Sequence, residues 1–258
     1  MRQSQRMAGL ISEAVWRENP AEIQALRNTS HSHKTLGEAL EHLADYQGAL
    51  DSYRFSLLVI EEARAKDPAS NELTYGSAYY MFRVGTALQK VGEPGSALEM
   101  VRQGLTLFRQ RYFDELRAYN IRQGSDFLQQ VGDFFASIGY RNEALATYNE
   151  LISRFEELCK PPQNDAASLG TLAGYYGSVG NIHAGFNPQM KILTPDNRGD
   201  FIEAIRWYQK ALDTLRVQRE LLQAPGYGPA LRSRNESASK AIEEKLDQCN
   251  RKIAGATE

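Results

Sequence analysis

The amino-acid sequence predicts an all-α fold: a solenoid of antiparallel helical hairpins, running as one domain over residues 1–258 and closed by a C-terminal capping helix. Three observations lead there. Four glycines, each preceded by a branched aliphatic residue, recur at a near-constant interval as Leu36-Gly37, Val84-Gly85, Val131-Gly132 and Val179-Gly180. At the same short distance beyond the first three glycines stand Ala49, Ala97 and Ala144, each opening the same apolar ladder at offsets of 4, 8 and 11. The fourth copy keeps that ladder from Ala204 but starts it twice as far beyond Gly180, so a segment is inserted there. Self-similarity at a fixed period is the signature of a stacked repeat architecture.

The rungs read Ala49, Tyr53, Leu57, Ile60; Ala97, Val101, Leu105, Phe108; Ala144, Tyr148, Ile152, Phe155; and Ala204, Tyr208, Leu212, Leu215. Those offsets lie on one face of a helix turning every 3.6 residues. A glycine on one helix and an alanine on its partner let two helices approach closely, and the aromatic rung fills the space below. Helices are expected near 20–45, 47–66, 70–91, 94–112, 115–138, 141–159, 165–185, 199–222 and 230–254, with no sheet. Asp67-Pro68 closes the first copy, Ser70-Asn71 caps the next helix, and Asn19-Pro20 caps the helix leading into the first repeat. Residues Gln3–Arg17 read as a further helix. The insertion, 186–199, carries two prolines among Asn and Asp residues, which is loop chemistry. In the capping helix, 230–254, Ala238, Ile242, Leu246, Cys249 and Ile253 are expected to face inward and cover the last apolar surface.

Composition narrows the function classes. A formal net charge of −2 offers no electrostatic reason for nucleic acid or an anionic membrane as partner. The sequence has neither a signal-type apolar run at the N-terminus nor an apolar window long enough to span a membrane, so a cytoplasmic protein is expected. Cys159 and Cys249 form no redox or metal motif.

The Leu/Val-Gly pairs, the alanines that follow them (Ala49 after Gly37, Ala97 after Gly85) and the aromatic four later resemble the tetratricopeptide repeat. That repeat is about 34 residues long, and these copies run to about 48 residues. The extra length adds about two turns to each helix. The resemblance implies a right-handed superhelix with repeats at 22–68, 70–113, 115–160 and 165–222. It also implies a concave groove lined by the first helix of each repeat, where a protein or peptide binds. The corresponding slots hold His31, Lys34, Glu38 and His42; Tyr79, Phe82, Thr86 and Lys90; Asp126, Gln129 and Asp133; and Asn181. Family members that hold a terminal carboxylate do so with Lys, Asn and Arg; Lys34 fits, but Glu38 and Asp126 would repel a carboxylate. The run G-N-I-H-A-G-F-N-P, followed by N-R-G-D, W-Y-Q-K-A-L and D-Q-C, is similar to the tetratricopeptide tail of bacterial serine/threonine protein kinases. The Gly-rich loop, H-R-D and D-F-G motifs of the kinase domain itself are absent from the sequence.

Other residues are weighed against plainer roles. His31 and His33 diverge by about 200° on a helix, and His31 and His42 stand about 16 Å apart, so no pair grips a metal ion. His183 occupies the slot of Leu40, Leu88 and Phe135; it is either a half-buried histidine bonded to the insertion or a pocket residue beneath it. Gly170, Gly174, Gly177 and Gly180 make a bare stripe, suited to close packing or to the backbone of a ligand. No cofactor and no catalytic constellation is expected. The expected function is a binding scaffold, a docking or regulatory module of a bacterial signalling protein; the alternative is a sensor that changes conformation on binding a short signalling peptide.

Overall fold

The hairpin turns form by one local device. At the end of α1 (Ile23–His42), Ala44 takes a φ of 57°, which lets the Asp45 N–H reach back to the Leu40 carbonyl at 2.9 Å. The Asp45 carbonyl then accepts from the Ala49 N–H at 3.0 Å and opens α2 (Tyr46–Lys66). Between α3 (Asn71–Lys90) and α4 (Pro94–Tyr112), Gly92 adopts φ 90°, Glu93 N–H bonds the Leu88 carbonyl at 2.9 Å, and Ala97 N–H bonds the Glu93 carbonyl. Between α5 (Ala118–Ser137) and α6 (Arg141–Leu158), Gly139 (φ 82°), Tyr140 with Phe135, and Ala144 with Tyr140 repeat the pattern. A left-handed residue followed by a backward N–H bond satisfies carbonyls that a helix end leaves open. Ser70 caps α3 as its position suggests, its side chain accepting from the Leu73 N–H at 3.3 Å.

The computed structural model describes residues 22–112, 118–161, 165–185 and 198–255. With α7 (Ala166–His183), α8 (Arg198–Leu221) and α9 (Pro229–Gly255), every regular element among the described residues is a helix, and neighbouring helices pack in pairs. Described helix ends lie close to those expected, never more than a single turn away. The expected helix over Gln3–Arg17, the Asn19-Pro20 cap and positions 186–197 of the insertion lie outside the described residues.

Side-chain packing follows the repeat register. A Cβ placed on Gly37 would lie 2.5 Å from the Tyr53 ring, on Gly85 2.6 Å from Val101 Cγ2, on Gly132 2.9 Å from Tyr148, and on Gly180 2.6 Å from Tyr208. Each glycine is therefore the seat of the rung that follows its alanine by four. Ala49, Ala97, Ala144 and Ala204 are fully buried; of the sixteen rungs only Leu57 and Leu212 are partly open. Gly170 and Gly180 in the bare stripe are tight contacts, with Gln218 and Tyr208, whereas Gly174 meets nothing within 4 Å.

The chain divides into two compact units, Met1–Phe127 and Leu128–Glu258. In the first, Leu26, Val59, Ile60, Ala63, Leu73 and Tyr80 form one cluster of the core, with Phe108, Phe82 and Tyr75 gathered around Phe127. In the second, Phe155 meets Tyr175 edge-on at 5.2 Å, and α9 closes on α8. Ile242 and Cys249 of α9 are buried as expected, while Ala238, Leu246 and Ile253 are only partly so. The sequence reading did not anticipate the polar half of this contact. Asn235 donates to the Leu215 carbonyl and to Gln218 Oε1, both at 2.8 Å, and Arg219 reaches Asn235 and Ser239 at 3.2 Å.

Candidate functional site

The tyrosine rungs bring polar chemistry into the hairpin joints, because a buried phenol needs a partner for its hydroxyl. Tyr148 donates to Asp133 Oδ1 at 2.5 Å and Tyr208 to Asn181 Oδ1 at 2.9 Å. Asp133 and Asn181, expected to face a groove, thus each serve their own hairpin. In the first unit Tyr53 donates to Glu41 Oε2 at 3.0 Å. Arg83, from α3, donates to the same carboxylate oxygen at 2.6 Å and to the Tyr53 hydroxyl, with its guanidinium carbon 4.7 Å from the Tyr53 ring centre. Burial pushes the Tyr53 hydroxyl far above its ordinary value, and Glu41 adds to the rise while Arg83 opposes it.

Around this network lies a polar band of the first unit. Lys34 and Glu38 form an ion pair at 3.1 Å. Tyr79, half-buried and packed on the core, feels Arg83, Glu38 and Glu41, and burial raises its hydroxyl above the usual range. The structure therefore brings together Lys34, Glu38 and Tyr79 among the expected residues, and adds Glu41 and Arg83. His31, His42 and Lys90 are exposed, and half-buried Thr86 donates to the Arg83 carbonyl at 2.9 Å. Asp126 is exposed and Gln129 is partly open.

Phe82 corrects the sequence reading. It is only 4% exposed, its ring edge-on to Phe127 at 6.0 Å, so it is core and not a groove anchor. The physical reason is that α3 packs against α2 and α4 and also meets Phe127 of α5, which buries a wider arc than a two-helix contact would. A sign was available in the sequence: an aromatic three residues before the repeat glycine of a central repeat.

Outside the band, α2 and α4 flank an apolar groove of about 440 Å³, lined by Leu57, Leu58, Val84, Leu88 and Met100 with Arg54 and Glu99 among its polar residues. Leu58, at 61%, is the most exposed large hydrophobic side chain among the described residues.

In the second unit His183 is half-buried and partnered, though not by any described residue of the insertion. Its Nδ1 lies 3.0 Å from Nη2 of Arg141, which also grips both carboxylate oxygens of Asp200. Arg141 and Asp200 escaped the sequence reading because 59 residues separate them. Among the described residues no group of three or more His, Cys, Asp or Glu is placed to hold a metal ion, and no helix is long and apolar enough to cross a membrane.

No protein-family model matches the chain, and no curated protein matches it in sequence. Among solved structures, the crystal structure of BtubC (BKLC) from P. vanneervenii is similar over 99% of this chain and 90% of that one, with a TM-score of 0.60 and 16% identity. The likeness is one of fold alone.

Proposed function

We propose that this chain is a tetratricopeptide-type solenoid that binds a protein or peptide across the first-helix face of its repeats. It serves as a docking or regulatory module of a bacterial cytoplasmic signalling protein, in the manner of the tails of serine/threonine kinases. The supporting observation is the band of the first unit, where Tyr79 sits half-open among Lys34, Glu38, Glu41 and Arg83. An amphipathic aromatic held rigid beside fixed charges is a usual anchor at interfaces. The repeat glycines, alanines and rungs, by contrast, are consumed by packing.

Affinity capture from a lysate of the source cell, read by mass spectrometry, tests this with two single variants. Tyr79→Ala is expected to lose the partner and Leu58→Glu to keep it. The opposite result would move recognition to the groove between α2 and α4. A wild-type chain that enriches nothing would overturn the scaffold reading.

A further inference from the structure

Helices α6, α7 and α8 meet at a charged junction whose chemistry turns on one proton. Arg141, the first residue of α6, donates to Asp200 on the first turn of α8, Nη1 to Oδ2 at 2.8 Å and Nη2 to Oδ1 at 2.6 Å. The same Nη2 lies 3.0 Å from Nδ1 of His183, the last residue of α7. A guanidinium only donates and does not lose its proton in a protein, so Nδ1 must present a lone pair. That makes His183 neutral, with its proton on Nε2.

We propose that this junction is a pH-sensitive clasp between the α5–α6 and α7–α8 hairpins: as the pH falls below neutral, protonation of His183 expels Arg141 from the imidazole and loosens α7 from α6. Among the described residues, the groups acting on the ring are Arg141 from α6 and Asp200 and Glu203 from α8. Once protonated, the ring is a second cation beside Arg141 and competes with it for the two carboxylates. Burial and then the Arg141 charge hold the imidazole below its ordinary value, against the pull of Asp200 and Glu203. A histidine depressed in the folded state binds its proton more readily when unfolded. Stability is therefore full above about pH 6.5 and falls as the pH drops from there to the folded value.

The test is an NMR titration of the imidazoles together with thermal melts at pH 7.5 and 5.5. His183 should titrate below about 6.5, and Arg141→Met should raise its midpoint. His183→Asn, whose amide oxygen on Cγ stands where Nδ1 does and accepts from Arg141 at either pH, should lose about 2 °C less melting temperature across that range than the wild type. The clasp is overturned if His183 titrates at or above its ordinary value, if Arg141→Met leaves the midpoint unmoved, or if both proteins lose the same melting temperature. Should a variant fail to fold, the wild-type midpoint, assigned through the backbone, decides alone. Neither readout depends on the partner or on the binding face.

Discussion

Gly180 seats the ring of Tyr208 as Gly37 seats that of Tyr53: a Cβ on either glycine would fall 2.6 or 2.5 Å from the ring. Yet Gly180 and Tyr208 stand much farther apart along the chain than Gly37 and Tyr53, by the length of the insertion. The inserted segment therefore leaves the helix contact intact, which is expected when a loop lengthens outside a packed joint. Substitutions along α7 should show where that contact ends. Gly180→Ala pushes a methyl into a ring that is itself buried, and should destabilise by about 1–3 kcal/mol. Gly174→Ala, in the same helix but with open space around it, should instead stabilise by about 0.5–1 kcal/mol. Urea denaturation of the two variants reads the opposite signs; equal signs would contradict the joint.

A second prediction concerns the one non-glycine residue in a left-handed turn among the described residues. Ala44 holds φ 57° where the later copies have Gly92 and Gly139. Alanine in that conformation is strained by about 1–2 kcal/mol, and glycine escapes the strain while giving back part of it as unfolded-chain entropy. Ala44 is exposed, so no packing is lost. Ala44→Gly should raise stability by roughly 0.5–1 kcal/mol, visible as a shift of the denaturation midpoint at unchanged slope.

What was legible in the sequence is what packing makes periodic. Gly37, Ala49 and Tyr53 announce themselves because the same steric demand recurs in each copy, and the helices followed from those offsets. The polar partners are another matter. Asp133 and Asn181 answer tyrosine hydroxyls from the position just after their repeat glycines, but in the first copy that position holds Glu38 and the partner of Tyr53 is Glu41, so the column alone does not announce the role. Asp133 and Asn181 consequently read as groove residues, and Phe82 as exposed, because a single repeat gives no account of what the neighbouring helices cover. The left-handed turn was half-legible: Gly92 and Gly139 stand at one shared offset past Gly85 and Gly132, while Ala44 conceals the pattern in the first copy.

The capping helix supplies a third prediction. Asn235 is 2% exposed, and its Nδ2 serves both the Leu215 carbonyl and Gln218 Oε1. Gln218 in turn donates to the Ala166 carbonyl at 2.6 Å, so α7, α8 and α9 share one buried chain of hydrogen bonds. Asn235→Leu keeps the branched outline of the side chain but strands two acceptors, at a cost of roughly 1–3 kcal/mol. Limited proteolysis should find α9 more readily cleaved in that variant, while Lys240→Ala, at an exposed site of the same helix, should behave as wild type.

The last prediction separates binding from folding at α3. Tyr79 and Phe82 lie one helical turn apart, yet one is half-open and the other is core. Phe82→Ala removes a ring that meets Phe127 edge-on and leaves a cavity, which should cost about 3–5 kcal/mol. Tyr79 also packs on the core, but part of its surface is already in water, so its truncation forfeits less burial and should cost much less. Loss of partner capture by Phe82→Ala would therefore report a weakened unit, whereas loss by Tyr79→Ala, with an unchanged circular dichroism signal and a nearly unchanged melting temperature, would report a contact. If instead the two variants melt together, the assignment of Phe82 to the core and of Tyr79 to the open band is wrong.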